Sequence, residues 1–228
     1  MTTAATREQL GVLVIGQGPR PDIERELRAV LGEGVGIRLV GALDGLSREA
    51  IDGLRPEADH DALFTTLPDG SDVVISKAEV TKRAQARLDH LAEAGIEVTL
   101  MNCTGVFEGI VPRGHLVFPS AVLTAVVRGL LPRGRLGVFA PLAEQEATMK
   151  AKWGQGDWQV DVLTLRPGTT GTELDAAARA MAARRPDLIV LDCMGYTQAT
   201  KSRVREVAGV RAVLAVSAAA RAVQELLA

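Results

Sequence analysis

Apolar residues in this chain fall into short continuous runs separated by longer segments in which they recur every three or four positions. The first period predicts buried strands and the second amphipathic helices. Gly11 to Ile15 is the opening run and breaks at Gly16-Gln17-Gly18-Pro19-Arg20-Pro21, after which a helix is expected from about Asp22 to Leu31. A strand at Ile37 to Val40 and a short helix at Arg48 to Leu54 follow. Ala62 to Leu67 and Asp72 to Ser76 flank Pro68-Asp69-Gly70-Ser71 and predict a hairpin that projects from the main sheet or extends its edge. Lys77 to Ala94 carries Val80, Ala84, Leu88 and Leu91 at helical spacing with Gly95 as its cap, and a strand over Ile96 to Met101 comes next.

A second series is expected to start at Leu116. It has strands at Leu116 to Phe118, Leu136 to Phe139, Gln159 to Leu165, Leu188 to Leu191 and Arg211 to Val216. Helices at Ser120 to Leu131, Leu142 to Trp153, Thr172 to Arg184, Gln198 to Val207 and Ala218 to Leu227 alternate with them. Such alternation predicts an α/β fold with parallel sheets and right-handed crossovers.

Composition narrows the class. The 228 residues are 47% hydrophobic and 24% charged, with 26 Lys plus Arg against 28 Asp plus Glu, so no basic excess points to nucleic acid. No apolar run reaches the roughly 18 residues that a membrane span needs. Met1 to Leu10 is polar and lacks the apolar centre of an export signal, which makes the cytoplasm the expected compartment and free thiols the expected state of the cysteines.

There are two cysteines, and they occupy equivalent places. Leu100-Met101-Asn102-Cys103-Thr104-Gly105 and Leu191-Asp192-Cys193-Met194-Gly195-Tyr196-Thr197 each set a thiol just beyond a buried run and just before Gly and Thr. Ligands of open α/β sheets bind at the carboxyl ends of strands, and a thiol leading into a helix start is expected to have its thiolate favoured by exposed N–H groups. The repeat suggests two similar halves with a cleft between them, and a reactive pair in that cleft. Thr104, Gly105, Gly195, Tyr196 and Thr197 would then offer N–H and hydroxyl donors to a carboxylate at two helix starts, with Tyr196, the one tyrosine, favoured. A buried small hydrophobe for each cysteine, and turn and capping chemistry for Thr and Gly, are the plainer alternatives.

Gly16 and Gln17 belong to a glycine-rich strand-end loop suited to binding an anion; Arg20 could assist there, although an arginine beside two prolines is more often solvated. A dinucleotide fingerprint there fails, since Pro21 stands where its third glycine belongs. Asp44 and Asp69 each precede a glycine in a turn and read equally well as local turn residues. Gln145 and Ser217 sit just past strands. The three histidines are scattered and match no zinc spacing, so no metal is expected.

Ile15-Gly16-Gln17-Gly18-Pro19-Arg20, Gly41-Ala42-Leu43-Asp44-Gly45-Leu46, Leu67-Pro68-Asp69-Gly70, Cys103-Thr104-Gly105 and strand-end Cys193 together resemble the AroM family, a branch of the aspartate/glutamate racemase superfamily. The resemblance implies two pseudo-symmetric α/β lobes with the active-site cleft between them and Cys103 and Cys193 facing the substrate from opposite sides. It further implies that the terminal strand and helix return to the first lobe, giving residues 1–115 plus 208–228 and residues 116–207. The implied activity is that of a cofactor-independent racemase, isomerase or lyase acting on a small carboxylate, with Gly16, Gln17, Thr104, Gly105, Gly195, Tyr196 and Thr197 binding it. A non-catalytic small-carboxylate binding protein is the alternative, and thiol reactivity discriminates the two. Thr104-Gly105 and Met194-Gly195 depart from the Asn-Thr and Thr that racemases carry after their cysteines. The pattern leaves open whether the chain forms a homo-oligomer.

Overall fold

The computed structural model describes residues 9–227, so the polar opening read as lacking an export signal lies largely outside it. The first half runs β1 (Gln9–Val14), α1 (Pro21–Leu31), β2 (Gly36–Gly41), α2 (Arg48–Asp52), β3 (Ala62–Thr66), β4 (Asp72–Ser76), α3 (Lys77–Glu93), β5 (Val98–Met101), β6 (His115–Val117) and α4 (Pro119–Leu130). The second runs β7 (Arg133–Ala140), α5 (Glu146–Trp153), β8 (Asp157–Thr164), α6 (Gly171–Ala182), β9 (Leu188–Leu191), α7 (Gln198–Ala208), β10 (Ala212–Leu214) and α8 (Ala215–Gln224).

Two four-stranded sheets result, ordered β2-β1-β5-β6 and β8-β7-β9-β10, and every pairing within them is parallel. Counted within its own lobe, each sheet has the order 2-1-3-4. Parallel strands covered on both faces must be apolar on both. In β1, Leu10, Val12 and Val14 enter one core while Leu13 enters the other. The larger core is continuous from Leu10 and Val12 of the first sheet to Leu136, Val138 and Val190 of the second.

Three expectations are corrected here. The strand after residue 114 pairs with β5 and closes the first sheet instead of opening the second series. The terminal strand β10 stays in the second lobe because it pairs with β9. It is α8 that crosses over, packing against α1, α4, β5 and β6. A strand goes where its ladder is unpaired, whereas a helix with buried Ala219, Ala220 and Val223 needs only an apolar surface. The hairpin neither projects nor extends an edge. As a separate two-stranded antiparallel sheet it buries Leu63 and Ile75 against Leu13 and Met101 and reaches the second lobe through Gln145 Nε2, which donates to the Ala62 carbonyl at 3.0 Å.

Asp44 ties the strand-end loops together. Its carboxylate accepts the Gly18 N–H at 2.8 Å and the Gly41 N–H at 2.7 Å. A Cβ at Gly41 would lie 2.5 Å from the Gly16 carbonyl oxygen, so only glycine lets the two loops approach. Asp69 instead accepts the N–H and hydroxyl of Ser71 inside the exposed hairpin turn. Ser217 is likewise local, its hydroxyl donating to the Leu214 carbonyl at 3.1 Å. Asp44→Ala, which strands two N–H donors, is expected to lower unfolding free energy by about 1.5–3 kcal/mol. Asp69→Ala should cost less than about 1 kcal/mol. Urea denaturation of both variants checks this, and equal losses would contradict it.

Candidate functional site

The loops after the first and third strands of each sheet converge on one cavity of about 450 Å³ between the lobes. These are the points where strand order reverses, the usual place for a ligand in such sheets. Cys103, after β5, and Cys193, after β9, both line it, and neither is in a disulfide. The ladder continues into the residue before each thiol: the Asn102 N–H donates to the Leu13 carbonyl at 2.8 Å and the Asp192 N–H to the Phe139 carbonyl at 3.0 Å. Both sulfurs accept a backbone N–H two residues on, from Gly105 at 3.3 Å and from Gly195 at 3.4 Å.

The anticipated helix starts do not act on these thiols. No helix follows Cys103, since residues 102–114 form a loop, and four residues separate Cys193 from α7. The α7 start is also already occupied: Thr197 caps it, and Glu26 of α1 accepts the Gln198 N–H at 2.9 Å across the lobes. Burial therefore wins. It pushes the Cys103 thiol up to about 11, against the pull of the Gly105 N–H and the Lys152 ammonium. It pushes Cys193 up to about 12, with the Gly195 N–H and Arg20 pulling the other way and Cys103 and Asp192 reinforcing it. Burial holds both thiols toward the neutral form, and the helix starts expected to favour their thiolates are not there to oppose it.

Thr104, Gly105, Gly195 and Thr197 also line the cavity. Gly16, Gln17 and Tyr196 do not. Gly16 abuts Thr65, so closely that a Cβ would meet its hydroxyl at 2.7 Å. The Gln17 amide donates to the carbonyls of Leu43 at 3.0 Å and Leu46 at 2.9 Å, pinning the β2 loop. Tyr196 is fully buried, and its hydroxyl is committed to the Leu165 carbonyl. Their positions give them packing and loop-holding roles.

Several residues in and behind the cavity wall carry no clear signal in the sequence. Lys152 of α5 donates to both carboxylate oxygens of Asp192, at 2.8 and 3.1 Å, and to the Thr104 carbonyl at 3.3 Å. The Trp153 indole N–H adds a bond to Asp192 at 2.8 Å, and the Thr104 hydroxyl donates to the Asp192 carbonyl at 3.2 Å. The pair is deeply enclosed, with side chains 10% and 0% exposed. An aspartate closing an otherwise apolar strand run was the one hint. Asn102 and Gln145 line the cavity with buried amide oxygens that lack a partner among the described residues. The hairpin completes the wall with Phe64, Thr65, Thr66 and Asp72. Among the described residues no three His, Cys, Asp or Glu side chains cluster as metal ligands, and no helix is long and apolar enough to cross a membrane.

Comparison with known proteins places this arrangement. The model of the family described as AroM protein matches residues 10–227. No curated protein sequence matches the chain. Among solved structures, an allantoin racemase from Klebsiella pneumoniae superposes with a TM-score of 0.63 at 16% identity, covering 96% of this chain and 87% of the other. A maleate cis-trans isomerase from Nocardia farcinica, captured as a cysteine-to-serine mutant with a covalently bound succinylcysteine intermediate, gives 0.63 at 17% identity over 96% and 92%. An unliganded arylmalonate decarboxylase gives 0.60 at 16% over 96% and 92%. At these identities the likeness is one of fold.

Two outcomes follow from the site. Lys152→Met leaves Asp192 buried without its cation and is expected to cost about 3–5 kcal/mol, part of which Asp192→Asn in the same chain should restore. Thermal and urea unfolding read both, and a loss below about 1 kcal/mol would show the pair to be solvated. Because the thiols ionise later in the folded than in the unfolded chain, their contribution to stability is complete below the unfolded value of about 8.5 and is lost as pH rises through 11 and 12. Replacing both cysteines with serine should flatten that alkaline decline, and thiolate absorbance of the native protein should appear only above about pH 10.

Proposed function

The chain belongs to the AroM family, and on that premise we propose that it is a cofactor-independent enzyme of the racemase, isomerase or lyase kind that acts on a small carboxylate through Cys103 and Cys193. The observation carrying this reading is that one thiol from each lobe lines a single interlobe cavity at the switch points of both sheets. Breaking a bond at a carbon beside a carboxylate needs a base on one face, an acid on the other and donors for the charge that builds on the carboxylate oxygens. Cys103 is the base in this scheme, because the Lys152 ammonium favours its thiolate, and Cys193 is the acid. The Cys103 thiolate takes the proton from carbon, electrons pass into the carboxylate, and the Cys193 thiol returns a proton to the opposite face. Thr104, Gly105, Gly195 and Thr197 line the cavity beside the thiols, where the Gly105 and Gly195 N–H groups hold the two sulfurs in place. Net proton balance is zero, and the reverse turnover starts from Cys193 as thiolate.

Neutral thiols set the cost. A thiol titrating at about 11 is ionised in only about one molecule in 10⁴ at pH 7. The same fact favours the second reading, a non-catalytic carboxylate binder. Proton abstraction separates them. In heavy water, with small α-substituted carboxylates as substrates, the enzyme reading expects deuterium to enter at the carbon next to the carboxylate, at a rate rising roughly tenfold per pH unit between pH 7 and 10. Cys103→Ser should abolish exchange of the proton that Cys103 removes, Cys193→Ser should abolish inversion at that carbon, and both should leave the fold intact. Carboxylates that raise the melting temperature without any exchange would establish the binder instead.

A further inference from the structure

We infer that Arg20 is the residue that anchors the ligand's carboxylate in the cavity, holding it from the first lobe opposite the thiol of the second. The inference rests on the carboxylate reading above and adds the group that selects for it.

Arg20 leaves β1 on the loop that precedes α1 and is 7% exposed, yet it lines the cavity. Its guanidinium is held rigidly: Nε and Nη2 donate to the two oxygens of Asp22 at 2.9 and 2.6 Å, and Nη1 to the Thr66 carbonyl at 2.6 Å. Those bonds use three of the five N–H groups that the side chain carries, so two remain. A buried guanidinium with spare donors beside an open cavity is suited to a carboxylate, whose oxygens it meets in a planar fork.

Charge accounting points the same way. Of the charged residues lining the cavity, Arg20 is the one cation among the described residues, with Asp22, Asp72 and Asp192 the anions. Asp192 is neutralised by Lys152, and Asp72 faces Arg166 at 3.5 Å. Asp22 pairs with Arg20, but the exposures differ: the Asp22 side chain is 56% exposed and the Arg20 side chain 9%. Water screens the carboxylate far more than the guanidinium, which leaves positive charge facing the cavity. Arg20 also favours the Cys193 thiolate electrostatically, consistent with its reach toward that side.

Iodoacetate and iodoacetamide test this without knowledge of the substrate, since they deliver the same carbon to a thiol and differ in the carboxylate. Rates of labelling at Cys193, followed by mass spectrometry at pH 9 with glutathione as reference, should show the iodoacetate to iodoacetamide ratio raised roughly tenfold or more over the free thiol. Arg20→Met, and Arg20→Met with Asp22→Asn to avoid a stranded carboxylate, should bring the ratio back to that of glutathione. Arg20→Lys should keep part of it, and Asp22→Asn alone should keep or raise it. A ratio equal to glutathione in the natural protein, or one unchanged in the folded Met variants, overturns the inference. If neither reagent reaches Cys193, calorimetry with malonate decides. At least tenfold weaker binding in Arg20→Met supports the anchor, whereas equal affinity or no binding to the natural protein removes it. None of these readouts requires turnover, so failure here is distinct from failure of the deuterium exchange.

Discussion

The buried contact between Lys152 and Asp192 is the constraint on which the cavity depends. Asp192 closes a strand whose preceding residues are all apolar, and a carboxylate at that depth is tolerated only with a cation and further donors around it. Lys152 supplies the charge and Trp153 a neutral donor. The same ammonium reaches the Thr104 carbonyl, and the Thr104 hydroxyl returns to the Asp192 backbone. One ion pair thus fixes the residue before Cys193 and the residue after Cys103 relative to each other. The cost of desolvating two charges is met by a geometry that no apolar replacement would reproduce.

Around that link the lobes repeat one another and then diverge. Both sheets have the 2-1-3-4 order, both thiols follow the third strand, and both sulfurs take an N–H from the glycine two residues on. The divergence lies in what stands before the thiol and across from it. Asn102 is neutral and leaves an amide oxygen without a partner among the described residues, whereas its counterpart Asp192 is charged and saturated. Lys152 of the second lobe acts on Cys103, and Arg20 of the first lobe acts on Cys193. Each thiol therefore feels a cation from the opposite lobe.

Burial has the last word on the resting thiols. A hydrogen bond from one peptide N–H and a cation partly cancelled by Asp192 do not offset the loss of water around a thiolate. A helix start would have added several aligned donors, but the chain after Cys103 runs through a loop and the start of α7 is filled by Thr197 and Glu26. Both thiols are therefore poor nucleophiles in this arrangement.

Short apolar runs and three-to-four-residue periodicity determined the α/β class, the alternation of elements and the equivalence of Cys103 and Cys193, because these depend on local spacing alone. The resemblance carried by Cys103-Thr104-Gly105 and the Gly16 to Arg20 loop determined the family. Which ladder a three-residue strand joins is decided by long-range pairing, so β6 and β10 could be assigned only from the sheets. Gly16, Gln17 and Tyr196 look like ligand donors in one dimension, yet their bonds go to Leu43, Leu46 and Leu165 or their space to Thr65, contacts that sequence adjacency does not reveal. Lys152 looks like an ordinary surface cation in the sequence, and Arg20 reads there only as an assistant to the Gly16 loop or a solvated arginine beside two prolines. Folding buries them between lobes, and burial, a property of the whole tertiary structure, is what turns a common charge into a structural clamp and a carboxylate anchor.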